Sequence, residues 1–296
     1  MSALYLENDK MKVKVNIHGA ELRSIYGKEK GCEYLWNADA KFWNRSSPVL
    51  FPFVGSLKEK KYIHNGKEYA MGQHGFARDM DFTVISQNES EVWFAVRDTE
   101  ETYAKYPFHF ELKVGYRLEG KEITVMWKVK NVNDSDMHFS IGAHPAFFCP
   151  LNEGDKQSDY YIHFADKDGA ALAKFQSTLL GDGGLVKSET EEYVTEEGRL
   201  PIHEHLFDID TLILEHDQAK RIALVDGNKK EYLAVEFDAP VVGIWSPPGK
   251  CAPFVCIEPW YGRCDNVAFD GELKDREWGN ILKAGEEFSA EYKILL

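Results

Sequence analysis

Long apolar runs are missing from this 296-residue chain, and with them any candidate for a membrane-spanning helix. Positive charge is in deficit: 35 Lys and Arg stand against 49 Asp and Glu, a formal net charge of −14. A surface of that sign repels phosphate backbones and anionic membranes, so neither nucleic acid nor a membrane is expected as a partner. Cysteine is sparse. The five, Cys32, Cys149, Cys251, Cys256 and Cys264, are odd in number and contain no Cys-x-x-Cys pair, which reads as reduced thiols rather than a disulfide framework. Residues 1–9 lack the basic start and apolar stretch of a signal peptide, so a soluble, cytoplasmic protein is expected. The glycosylation patterns at Asn88 and Asn133 mean nothing without secretion. Also absent are Gly-x-Gly-x-x-Gly, Gly-x-x-x-x-Gly-Lys-Ser/Thr and Gly-x-Ser-x-Gly, which removes the usual sequence warrant for a nucleotide or a serine nucleophile. With no internal repeat and no low-complexity segment, one large domain over residues 1–296 is expected.

What the chain does have is alternation. Phe108, Phe110, Leu112, Val114, Tyr116 and Leu118 are apolar at every second position, Glu119-Gly120-Lys121 follows, and Ile123, Val125, Trp127 and Val129 resume the period. That is a long hairpin with one buried face. Similar signals occur at Val13/Val15/Ile17, Phe82/Val84, Val92/Phe94/Val96, 212–214, 222–225, 232–237, 254–257 and 288–295, separated by Gly, Asn and Asp turns. Helix signals are few; residues 100–106 suit a turn or two that ends before Pro107. Residues 151–205 lose the pattern in an acidic, glycine-bearing tract and read as long surface loops, with Asp182 and Gly183 in a turn. The expected architecture is all-β, a large antiparallel sandwich with few short helices and loops gathered at one face.

Three distant segments hold the chemistry: residues 73–78 with His74 and Arg78, residues 142–147 with His144, and residues 257–260 with Glu258. A histidine titrates near neutrality where an exposed glutamate is ionised, so the set suits paired acid and base work. His144 lies between Gly142 and Pro145 with Ala143 and Ala146 beside it, which lets a ligand approach the backbone closely. The alternative is a histidine satisfied by a backbone carbonyl at a strand end. Glu258 ends the apolar run 254–257, so it is paired, at the mouth of a cavity, or past the buried part. Trp260 and Tyr261 behind it offer flat faces of the kind that the C–H face of a sugar ring stacks on. Arg45 precedes a proline-containing stretch, 48–55, that cannot pair as a regular central strand; it is either a loop ion pair or a ligand clamp. His203, His205 and His216 have neither a Cys partner nor a two-His-one-carboxylate helix, so no metal site is expected.

These segments together resemble the aldose 1-epimerase (galactose mutarotase) family, in particular its shorter LacX-type branch. The likeness runs almost end to end, through Gly19-Ala20-Glu21-Leu22, Tyr34-Leu35-Trp36-Asn37, Phe42-Trp43, the 48–55 stretch, His74-Gly75-Phe76-Ala77-Arg78, Gly142-Ala143-His144-Pro145-Ala146-Phe147 and Glu258-Pro259-Trp260. It implies the family's supersandwich with a cleft on one sheet, His144 as general acid and Glu258 as general base. It further implies His74 as second histidine, and Arg45 and Asp210 holding sugar hydroxyls. Asp208 could equally match in place of Asp210, or neither; Arg78 belongs to the branch's own motif. No cofactor is implied. The partner would be a small sugar such as galactose or glucose, free or phosphorylated, and the protein a monomer or homodimer.

Two readings compete with anomer exchange on a free hexose. A hexose-6-phosphate epimerase would clamp its phosphate with Arg45 and Arg78. A non-catalytic carbohydrate-binding protein would need the aromatic faces but not a matched acid and base. A glycoside hydrolase usually needs two carboxylates flanking one bond, and Glu258 alone is convincing in that part.

Overall fold

A computed structural model describes residues 3–296. The long hairpin forms as its alternation predicts. Phe110–Glu119 pairs antiparallel with Glu122–Asn131, Leu118 opposite Ile123, and Gly120 turns the chain at φ 56°, a left-handed angle that glycine adopts without strain. Leu112, Val114, Tyr116, Leu118, Ile123, Val125, Trp127 and Val129 are all buried on its inner face. The single α-helix among the described residues, Glu100–Lys105, is capped by Thr99 and ends before Pro107. Among the described residues no helix is long and apolar enough to cross a membrane.

The hairpin lies within a nine-stranded sheet. Its order is Arg199–Pro201, Tyr161–Ala165, Arg221–Val225, Glu231–Phe237, Glu287–Leu295, Glu122–Asn131, Phe110–Glu119, Glu91–Arg97 and Thr83–Gln87. A second sheet, of eight strands, runs Val186–Val194, Lys174–Leu180, Leu212–Leu214, Val241–Trp245, Phe254–Tyr261, Ile141–Ala143 and Val49–Leu50, with Ala146–Phe148 also paired to Phe254–Tyr261. The expected all-β sandwich is the fold found, with a smaller N-terminal sheet from Ala3–Glu7 to Cys32–Glu33 beside it. As expected for the proline-containing stretch, only Val49–Leu50 of it forms a strand, and that strand lies at a sheet edge.

Strand parity decides where chemistry can sit, because successive side chains point to opposite faces. Val255, Ile257, Val242, Ile244, Ile141 and Ala143 turn inward and join the main core with Leu112, Val114 and Ile294 of the other sheet. Burial of each such aliphatic chain contributes about 1.5–3 kcal/mol. The intervening positions, Phe254, Cys256, Glu258 and Trp260 on one strand and Val241, Gly243 and Trp245 on its neighbour, take the outer face. There Phe254, Cys256, Trp36, Trp43 and Trp245 pack in one small cluster, and Trp260, Val241, Ile213 and Cys264 in another.

Residues 151–205 correct the sequence reading. They are not mainly loops but carry Tyr161–Ala165, Lys174–Leu180, Val186–Val194 and Arg199–Pro201. Ile162, Phe164 and Phe175 are fully or nearly buried, but such positions are few in strands that otherwise carry mostly polar or exposed side chains. Val186–Val194 borders its sheet with most side chains exposed. An edge strand tolerates, and is protected by, the charges of Glu189, Glu191 and Glu192 that hid the pattern.

Candidate active site

The outer face of the eight-stranded sheet holds a pocket of about 290 Å³. His144 reaches it from the residue after Ile141–Ala143, where its backbone N–H donates to Pro48 O at 3.2 Å. Glu258 reaches it from the middle of Phe254–Tyr261, opposite Gly243 in the ladder. Both flanking glycines leave room for indole: a Cβ on Gly243 would lie 2.5 Å from Trp260, and one on Gly142 would lie 2.6 Å from it. The outcome is that His144 Nδ1 and Glu258 Oε1 lie 3.3 Å apart, with the glutamate 1% exposed.

Aromatic rings fix the imidazole. Trp43 stacks on His144 at 4.6 Å, Trp245 meets it edge-on at 5.3 Å, and His74 stands edge-on at 5.6 Å. His74 is held by Gly55 from both sides: its backbone N–H donates to Gly55 O at 3.0 Å, and its Nδ1 accepts the Gly55 N–H at 3.1 Å. An accepting Nδ1 leaves Nε2–H as the donor of the neutral ring.

Of the residues singled out in the sequence, His74, Arg78, His144, Asp210 and Glu258 all line this pocket. Arg45 stands beside it, pairing with Asp79 at 2.7 Å, while Arg78 Nη2 donates to Gln73 O at 2.9 Å. Asp208 goes elsewhere, to an exposed pair with His205 at 2.8 Å, which separates it from Asp210. Asp210 also gives the pocket a second carboxylate, which the sequence did not single out for that part. Tyr261 is a correction: parity turns it inward against Phe288 at 5.2 Å, so it offers no face to a ligand. The aromatic walls are instead Trp43, Trp245 and Trp260. Trp245 was missed because the strand signal Val241-Val242-Gly243-Ile244 went unread; its period of two would have placed Trp245 on the face of Glu258. His203, His205 and His216 do not gather; His216 packs on Trp278 at 5.0 Å. The donor atoms of His144, Cys256 and Glu258 do gather, within 4.8 Å of one another.

Burial sets the electrostatics. It pushes His144 down to about 3, with the Arg78 and Arg45 guanidinium groups adding to the effect. It holds His74 well below the usual imidazole range, helped by His144, Arg78 and Arg45. Glu258 moves the other way, raised well above the carboxylate range by burial and by the negative charge of Asp210, with the Trp260 indole opposing. Arg78 falls to about 10 through burial and the nearby Arg45. Burial thus favours the neutral forms of both His144 and Glu258.

The sequence over residues 2–295 matches the family described as Aldose 1-epimerase, and the chain belongs to it. Within that family it is 33% identical over 279 residues to the plasmid-encoded Protein LacX of Lactococcus lactis subsp. lactis, covering 92% of this chain and 91% of the relative. Among solved structures it is similar to a galactose mutarotase related enzyme from Lactobacillus acidophilus, with TM-score 0.93, 34% identity, and 99% and 97% of the two chains covered. A galactose mutarotase-like protein from Lactobacillus casei gives TM-score 0.91 at 31% identity, with 99% of each chain covered.

Proposed function

We propose that this protein interconverts the α and β anomers of a hexose, with Glu258 as general base and His144 as general acid. The observation that carries the reading is the 3.3 Å approach of these two buried side chains at the wall of a sugar-sized pocket. The chemistry needs only proton movement. Glu258 removes the anomeric hydroxyl proton as protonated His144 gives one to the ring oxygen, so neither an alkoxide nor an oxocarbenium ion forms alone. The ring opens to the aldehyde, rotation about C1–C2 presents its other face, and reclosure with both transfers reversed gives the other anomer. His74 Nε2–H and the guanidinium of Arg45 steady oxygens as charge shifts.

One proton therefore shuttles within the pair. Facing the closed ring it makes an ion pair; after ring opening, protonated Glu258 and neutral His144 remain. Burial favours the second arrangement, so the pocket supports the opened sugar and the transition state leading to it more than the closed ring. We read the protein as one domain acting in the cytoplasm, as a monomer or homodimer, on a small sugar.

Polarimetry tests the proposal: purified protein should accelerate the α-to-β conversion of glucose or galactose over buffer. Arg45 and Arg78, both close enough to depress His144, also favour a second reading in which the hexose carries a 6-phosphate. Rates on free and phosphorylated sugars separate the two, and no acceleration on either class ends the enzyme reading.

A pH series carries a further expectation. With His144 down to about 3 and Glu258 raised, the one-proton form of the pair persists across the range where an ordinary histidine titrates. The kcat/KM of the free enzyme should be flat near pH 6.5, its acid limb far below that value and its alkaline limb set by loss of the Glu258 proton. An inflection at about 6.5 would contradict this account of the buried pair.

A further inference from the structure

The outer face of the central strand carries one donor that proton transfer does not use. Cys256 precedes Glu258 by two residues on Phe254–Tyr261, so the pleat turns its thiol to the same side as the carboxylate. It is free and wholly buried, and it packs among Trp36, Phe254 and Ala146 rather than lining the pocket. Its sulfur, one ring nitrogen of His144 and one oxygen of Glu258 all lie within 4.8 Å of one another. Among the described residues this is the one group of three or more His, Cys, Asp and Glu donors so placed. Two of its polar atoms, His144 Nδ1 and Glu258 Oε2, are buried without a hydrogen-bond partner, although their side chains are nine-tenths buried or more. Buried polar atoms left in that state require an explanation, and a bound ion is one that fits this donor set.

We propose that His144, Cys256 and Glu258 form a binding site for a borderline-soft divalent cation of the Zn²⁺ class, and that filling it blocks the acid and base of the pocket. The donor set is one nitrogen, one sulfur and one oxygen, which suits Zn²⁺ or Co²⁺ and disfavours Mg²⁺ and Ca²⁺, whose ligands are oxygens. Bonds of about 2.0–2.3 Å place tetrahedral ligand atoms roughly 3.3–3.8 Å apart, so the present spacing closes by about 1 Å of side-chain adjustment. Three protein ligands leave the fourth position to water or a sugar hydroxyl from the pocket. Coordination releases the thiol proton and the proton of the acid–base pair to solvent, and the ion holds the imidazole lone pair and the carboxylate that anomer exchange requires. Inhibition rests on the epimerase reading; binding does not.

Chelator-treated full-length protein titrated with Zn²⁺ alone in a calorimeter should bind one ion tightly, and Co²⁺ should give a thiolate-to-metal charge-transfer band. Cys256→Ser should abolish that band and weaken Zn²⁺ binding about tenfold or more; Cys256→Ala serves if the serine variant does not fold. Cys251→Ser, altering the exposed cysteine, should change neither. In the polarimetric assay Zn²⁺ should inhibit the wild type reversibly. Cys256→Ser should keep its basal rate and require about tenfold more Zn²⁺ for the same inhibition. Equal Zn²⁺ affinity in wild type and both Cys256 variants, or absence of the cobalt band from wild type, overturns the site. Both binding measurements decide the matter even if the protein acts on no sugar tested.

Discussion

Glu258→Gln is expected to slow anomer exchange by about 10²–10⁴-fold, the usual range for one positioned proton-transfer group, and His144→Ala by a similar factor. Polarimetry on glucose or galactose reads both. The variants should separate catalysis from sugar binding, because glutamine keeps the shape and hydrogen-bonding capacity of Glu258 while losing only its role as base. A carbohydrate-binding protein would keep its function in Glu258→Gln, so unchanged sugar binding in that variant, together with no acceleration by the wild type over buffer, would favour the binding-protein reading. The same substitution should raise thermal stability at neutral pH. Glu258 has a folded pKa raised by burial, so its contribution to stability is present below the unfolded value of about 4.5 and is lost as pH rises through the folded value. Glutamine cannot ionise, so the cost of carrying a buried carboxylate charge at neutral pH is absent from that variant. A site residue whose removal stabilises the fold is held there for chemistry.

The second large effect lies at the ion pair of Asp265 and Arg276, where Asp265 follows the pocket-lining Cys264 in the chain. Arg276 Nε donates to Asp265 Oδ1 at 2.6 Å with both side chains 3% exposed, and its guanidinium lies 5.0 Å from the centre of the Phe53 ring. Arg276 Nη2 also donates to Arg263 O, and Asp265 Oδ2 accepts the Lys58 backbone N–H. Asp265→Ala would leave a buried guanidinium without its counter-charge, a loss of about 3–5 kcal/mol. Thermal unfolding should fall by roughly 5–10 °C. The exposed pair of Lys105 and Glu101 is the control, and Glu101→Ala should leave the melting temperature unchanged. Equal effects from the two variants would mean that burial does not govern the Asp265 pair. The Asp265 backbone N–H donates to Ser56 O, next to the Gly55 that grips His74, so the pair also braces one wall of the pocket.

Much of this was legible in the chain. The hairpin around Gly120 was readable because both of its strands bury one face against one core, which imposes an unbroken period of two on the residues. His144 and Glu258 were readable because polar groups interrupting apolar, small-residue segments demand a reason. Local pattern failed where burial was one-sided or interrupted. Val186–Val194 is a strand through its pairing with Lys174–Leu180, and its own side chains face water, so nothing in its composition announces it. The inward turn of Tyr261 followed from the parity already implied by Glu258, but only the register with Val241–Trp245 makes that parity evident. The convergence of Arg45 and Arg78 on Asp79 joins residues 34 positions apart through loops whose path no periodicity encodes.

His144, Glu258, Trp43 and Trp245 are anchored to neighbouring strands of a single sheet, or packed against them, and not to a mobile flap. On the proposed reading, the orientational entropy of assembling acid, base and stacking walls is therefore lost once, as the chain folds, and not again at each encounter with a sugar. If the protein is the epimerase proposed above, a site arranged this way would act as a fixed template and need no closing motion to assemble it.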